Sequence, residues 1–149
     1  MVGQFGSQLN VIGSYAYTAT EVPEDASGLK GNRLPNAPRH AASVAAHYVP
    51  GWHTGPLSWH VNVAVRYAGE REGDSANSVT LPSYTVADLG IGTSFKWNGT
   101  SLKLDLLLRN AFDRAYCTSA DGAMPVLVGR RVSSMFACVV HFEWKRQVK

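Results

Sequence analysis

The chain has 149 residues, of which 45% are hydrophobic and 17% charged, and its formal net charge is +3. That length suits one ordinary domain, but the charged fraction falls below the roughly 25% of soluble proteins, so part of the surface is expected to face something other than water. Basic residues are scattered apart from Arg130-Arg131 and the final KRQVK, which argues against nucleic acid as a partner.

Helical periodicity is nearly absent, whereas period-two alternation recurs six times. Strand one is expected near Gln8–Thr18, with Leu9, Val11, Tyr15 and Tyr17 on one face. Strand two runs near Arg39–Val49, with Ala42, Val44, Ala46 and Tyr48 on that face. The third, LSWHVNVAVRY, is the clearest. Leu57, Trp59, Val61, Val63, Val65 and Tyr67 share the apolar face, and Ser58, His60, Asn62, Ala64 and Arg66 the polar one. About 11 residues with aromatics near both ends match the ~9–11 of a tilted membrane strand.

Strand four is expected over Tyr84–Trp97, with Ala87, Leu89, Ile91, Phe95 and Trp97 outward and Asp88 inward. The fifth, near Ser101–Phe112, puts Leu102, Leu104, Leu106, Leu108 and Phe112 outward and Lys103, Asp105 and Arg109 inward. Strand six, near Val132–Trp144, carries Phe136, Cys138, Val140, Phe142 and Trp144 outward and Ser133, His141 and Glu143 inward.

The connections alternate in length. Residues 49–56 and 97–100 make short turns, the second with the Asn98-Gly99 pair that favours a two-residue type I′ hairpin. Those near 19–38, 69–82 and 113–129 are long and polar. Short turns at one end and long loops at the other is the layout of outer-membrane barrels. A turn at Asn98-Gly99 pairs Trp97 with Thr100 and Phe95 with Leu102. A turn centred between His53 and Thr54 pairs Tyr48 with Trp59, Ala46 with Val61 and Val44 with Val63, and sets His47 opposite His60. Tyr48, Trp59, Trp97, Phe142 and Trp144 then form a membrane-interface girdle at the short-turn end, with Tyr15, Tyr17, Tyr67 and Phe112 at the other.

No nucleophile elbow, HExxH or phosphate loop is present, and the carboxylates and histidines are scattered, so no catalytic set is expected. The two cysteines, Cys117 and Cys138, lack CxxC spacing, which argues against a disulfide framework or zinc site. The His47–His60 pair reads as polar lining, with no third metal ligand at its spacing. MVGQFGSQLN has no basic n-region or apolar core, so no signal peptide is expected within this chain, and no run approaches the ~18 apolar residues of a membrane helix.

Six strands do not close a common membrane barrel, which needs about eight or more. RNAFDRAY, Arg109 to Tyr116, resembles the Asn-Leu-Phe-Asp-Lys-Xaa-Tyr signature before the last external loop of TonB-dependent outer-membrane receptors. GNRLPNAPRHAASVAAHY, VRYAGEREGDSANSVTLPSYTVADLGIGTSF and VGRRVSSMFACVVHFEW resemble late barrel segments of the same family in the same order. The likeness is to the ferrichrome and hydroxamate type of ferric-siderophore receptor. Ala111 stands where the motif has leucine, and Cys117 follows its tyrosine.

The resemblance implies an all-β, antiparallel transmembrane β-barrel segment of about six meandering strands, the last of a plugged barrel of about 22. Residues 1–144 would be barrel, 145–149 a basic tail, and the plug would lie outside the chain. The implied function is ferric-siderophore uptake across the outer membrane, energised through TonB by way of an N-terminal part not in this chain. Iron would enter only within the ligand, with no cofactor or enzymatic chemistry. Outer-membrane lipid is an implied partner, as is the barrel-assembly machinery, which reads a terminal aromatic that is here followed by KRQVK. Asn110, Phe112, Asp113 and Tyr116 carry the family motif, while Arg71, Asp74, Asn77 and Asp121 are ligand-facing candidates by loop position. A soluble β-sandwich or lipocalin-like binding module and an inactive truncated receptor remain as alternatives.

Overall fold

Alternation of apolar and polar side chains is realised as strands throughout. A computed structural model describes residues 1–24, 28–51, 53–97, 100–121, 124–128 and 133–135. In chain order the strands are β1 (Val2–Phe5), β2 (Leu9–Tyr17), β3 (His40–Tyr48), β4 (His53–Thr54), β5 (Leu57–Ala68), β6 (Arg71–Glu72) and β7 (Thr80–Leu81). They continue with β8 (Tyr84–Trp97), β9 (Thr100–Arg109), β10 (Cys117–Asp121), β11 (Met124–Val128) and β12 (Ser133–Met135).

An antiparallel meander β1-β2-β3-β5-β8-β9-β12 forms the main sheet, with β4 paired to β5. The pairs β6-β7 and β10-β11 are separate small hairpins within the long connections. Among the described residues no ladder joins β1 to β12, so the sheet is open.

Two details differ from the sequence expectation. The meander gains β1, because Val2–Phe5 turns at Gly6 (φ 64°) and pairs with Leu9–Ile12. VGQF is too short to show alternation. Of strand six, Ser133–Met135 pairs with Arg109–Leu107, while Phe136, Cys138, Val140, Phe142 and Trp144 lie outside the described residues.

The second difference is register. Trp97 pairs with Thr100 and Phe95 with Leu102, as the turn chemistry predicts, although Asn98-Gly99 lies outside the described residues. Between β3 and β5, however, Tyr48 faces Val61, Ala46 faces Val63 and Val44 faces Val65. The ladder is thus shifted by two residues, because Thr54 pairs with Leu57 and Gly55 (φ 64°) with Pro56 makes the tip. A shift of two preserves the faces, since side chains alternate with period two.

One face therefore shows rows of apolar side chains. Val11–Ala46–Val63–Leu89–Leu108 runs straight across five strands, next to Leu9–Tyr48–Val61–Ile91–Leu106. These side chains are uncovered: Leu89 is 40% exposed, Ile91 46% and Leu106 42%. Tyr15 and Tyr67 flank the rows at one end, Trp59 and Trp97 at the other. Tyr67 and Trp59 lie eight residues apart on β5, about 27 Å of strand, of the order of a membrane barrel's apolar band once tilted. The buried apolar side chains among the described residues are few and small: Leu81, Val86, Ala87 and Ala120. A β-sandwich would cover this face with a second sheet. None of the described residues does.

Candidate functional site: the loop cluster and the polar wall below it

The opposite face is polar and carries its own side-chain ladder. His47 faces Asn62, not His60, and the two side chains are hydrogen-bonded at 2.7 Å. His60 lies opposite Gly92, beyond which comes Asp105, and the His60 ring reaches across to Asp105 Oδ1 at 2.6 Å. Gly92 makes that bridge possible, because a Cβ there would collide with both the His60 ring and Asp105 Oδ1. Arg66 Nη2 donates to Asp88 Oδ2 at 2.9 Å. A concavity of about 230 Å³ lies on this wall, with Asn10, Ile12, His47, Asn62, Ala64 and Asp88 in its lining.

All three long connections leave the same end of the sheet, and their polar side chains lock them together. Arg33 pairs with Glu72 at 3.1 Å, and Arg33 N–H donates to Asn77 Oδ1 at 2.7 Å. Asn77 Nδ2 returns bonds to the carbonyls of Arg33 and Asp74, its backbone being left-handed at φ 55°. Asn36 joins the first and third connections by giving Nδ2 to the Ala120 carbonyl and accepting the Ala120 N–H, both at 2.9 Å. Its own N–H donates to the Glu72 carbonyl. Such amide side chains replace the ladder that irregular backbone lacks.

Asp74 anchors the second connection. It accepts the Ser78 hydroxyl at 2.5 Å and the backbone N–H groups of Ser78 and Val79. The Ser78 hydroxyl chiefly, opposed by desolvation and aided by these amides, holds its carboxyl below the ordinary aspartate range.

The RNAFDRAY stretch is built around Asn110. The backbone turns left-handed at Asn110 (φ 51°) and again at Asp113 (φ 48°), ending the β9 ladder. Asn110 is 4% exposed. Its Nδ2 donates to the Arg114 carbonyl and its Oδ1 accepts the Arg114 N–H, while Asp88 Oδ1 receives the Asn110 N–H at 2.9 Å. Phe112 projects outward, 73% exposed, and Tyr116 stacks on Tyr84 with ring centroids 4.6 Å apart.

Arg71 sits beneath this loop. It is 2% exposed, its guanidinium packs over the Tyr84 ring at 5.4 Å, and Nη2 donates to the Cys117 carbonyl. The structure thus draws Arg71, Asn110 and Tyr116 into one neighbourhood, with Asp74 and Asn77 in the adjacent loop. Asp121 lies at the end of β10. Sequence reasoning overlooked Asn36, Glu72 and Tyr84. A single polar residue in a Pro/Gly-rich loop carries no periodicity, and Asn36's left-handed φ of 60° is its only local mark.

Residues 2–111 match the family model for the TonB dependent receptor-like β-barrel. The chain is 40% identical over 117 residues to the metal-pseudopaline receptor CntO of Pseudomonas aeruginosa, covering 76% of this chain and 16% of that protein. It is 37% identical over 115 residues to the ferrichrome outer membrane transporter/phage receptor of Escherichia coli K12, covering 76% and 15%. To the Yersinia enterocolitica ferrioxamine receptor it is 30% identical over 116 residues, covering 76% and 16%. It therefore spans about a sixth of the length of these curated relatives.

The fold is shared with BauA, the ferric preacinetobactin receptor of Acinetobacter baumannii, at a TM-score of 0.78 and 16% identity, over 88% of this chain and 19% of that one. The siderophore receptor PiuA of the same organism superposes at 0.68 with 24% identity, over 88% and 19%. Open sheet, uncovered apolar face and gathered loops all agree with these matches, and the chain belongs to the TonB-dependent receptor β-barrel family, a family of outer-membrane transport receptors.

Proposed function

We propose that this chain supplies late wall strands and outer loops of a receptor that captures a metal–siderophore chelate and imports it across the outer membrane. The observation that carries this is the uncovered apolar face, bounded by Tyr15 and Tyr67 at one end and Trp59 and Trp97 at the other, on a sheet whose long loops gather at one mouth. Lipid covers the apolar face, the polar wall lines the lumen, and the loop cluster forms part of the capture surface. TonB supplies the energy through other parts of the receptor, and the barrel-assembly machinery inserts the strands. Capture requires no covalent chemistry, so the protein acts as a receptor and not as an enzyme. The named relatives act on ferrichrome, ferrioxamine and metal-pseudopaline, which makes a metal chelate of this general kind the ligand.

A chimera tests this reading. The matching late-strand segment of the E. coli ferrichrome transporter is exchanged for residues 2–111 of this chain, and outer-membrane assembly and ferric ferrichrome uptake are measured. Assembly as a heat-modifiable outer-membrane barrel is expected. Recovery of the chimera only as soluble or degraded protein sinks the proposal.

A further inference from the structure

Arg71 carries a requirement that the loop packing leaves unmet. Its Nη1 is buried with no hydrogen-bond partner among the described residues, although Nη2 reaches the Cys117 carbonyl. A guanidinium presents five donors in a planar fork and keeps its charge in a protein. The carboxylates of Glu72 and Asp74 in the same loop are committed elsewhere, Glu72 to Arg33 and Asp74 to Ser78 and Val79. Among the described residues none forms an ion pair with Arg71. A neutral carbonyl and the Tyr84 ring are what this buried cation has in place of a counter-charge.

The cover over this cation is lightly held. β10 lies off the main sheet and pairs with β11 alone, and that ladder shifts register on both sides of Ser119. Such irregularities interrupt strand pairing. Its ties to the rest include the Arg71 contact at Cys117, the paired bonds of Asn36 with Ala120 and the close approach of Ala120 to Gly73. Just before it, Tyr116 stacks on Tyr84 and completes an aromatic ledge beside the guanidinium.

We infer that Arg71 is an oxyanion-binding residue beneath a β10 flap, and that its ligand bears a carboxylate. The carboxylate displaces the Cys117 carbonyl and takes Nη1 and Nη2 as a bidentate pair, the geometry in which an arginine fork binds such groups best. The Tyr84–Tyr116 ledge flanks it. This rests on the receptor reading for its route to the mouth, and narrows the cargo to a carboxylate-bearing chelate over a neutral one.

The test uses the full 149-residue chain in detergent micelles, melted with and without metal-free citrate at matched ionic strength, with ferric citrate and neutral ferric ferrichrome as binding probes. Citrate is expected to raise the Tm of the parent in a dose-dependent way. Arg71→Met is expected to abolish that rise, measured against its own citrate-free Tm, and Arg71→Lys to reduce it. Arg33→Met breaks the loop ion pair and is expected to lower the Tm yet keep the citrate response. No citrate response in the parent, or an equal one in Arg71→Met, overturns the inference. Where Arg71→Met does not fold, an undiminished response in Arg71→Lys does so.

Ferric ferrichrome binding without any citrate response overturns this site and leaves the receptor reading standing. A citrate response lost in Arg71→Met keeps the site even where the chimera fails to assemble and the receptor reading falls.

Discussion

Asn110 shows how one side chain ends a membrane strand. It accepts a left-handed backbone, seals both backbone groups of Arg114, and is itself held by Asp88. Asn110→Ala loses the two side-chain bonds and strains φ, and is expected to cost about 1–3 kcal/mol. Asn110→Gly tolerates the φ and is expected to cost less, which comparing the two melting curves checks. Asp74 makes a pH prediction. Its folded carboxyl titrates below the ordinary range, so its contribution is present above about pH 4 and is lost as pH falls through the lowered value. The protection of the Ser78 and Val79 amides relative to their intrinsic exchange rates is expected to fall on acidification, and to be lower in Asp74→Asn than in the parent at neutral pH.

A strand of this sheet is defined by its two unlike faces. On β5, Val63 lies in the middle apolar row, whereas Ala64 lies on the opposite face across from Asp88. Val63→Arg is expected to destabilise the inserted barrel by about 2–4 kcal/mol, the cost of a cation near the bilayer midplane. Ala64→Arg is expected to be tolerated, and urea titration of the folded, lipid-embedded protein distinguishes them. On β8 the small residue is the device. Gly92→Ala is expected to displace the His60–Asp105 bridge at a cost of about 0–1 kcal/mol, since both side chains can swing aside. Loss of the bridge is read from the His60 ring signals by NMR, with β8–β9 pairing retained.

At the scale of the molecule, an open sheet with one oily face belongs beside lipid and between further strands, because unpaired backbone edges are not tolerated in a bilayer. Trp59 and Trp97 lie at one end of the apolar face, where a membrane interface is expected. Brominated lipids that quench at headgroup depth are expected to quench these tryptophans more than lipids brominated at the chain ends. Equal quenching at both depths argues against the girdle.

Alternation in the sequence determined the strand class, the faces and the meander from β2 to β9, because a period of two survives any even slip in register. It likewise set the Trp97–Thr100 pairing, where turn chemistry is local. The Asn-Ala-Phe-Asp stretch pointed to the family, since its residues must turn the chain within a few positions. Tertiary structure decided what depended on partners far apart in the chain. The Gly55-Pro56 tip moved β3 against β5 by two residues and replaced the His47–His60 pairing with His47–Asn62. Asn36 meets Ala120 across 84 positions, and Arg71 meets Cys117 across 46. No local pattern encodes such contacts, because loops spend their polar groups on whatever backbone the folded sheet brings beside them.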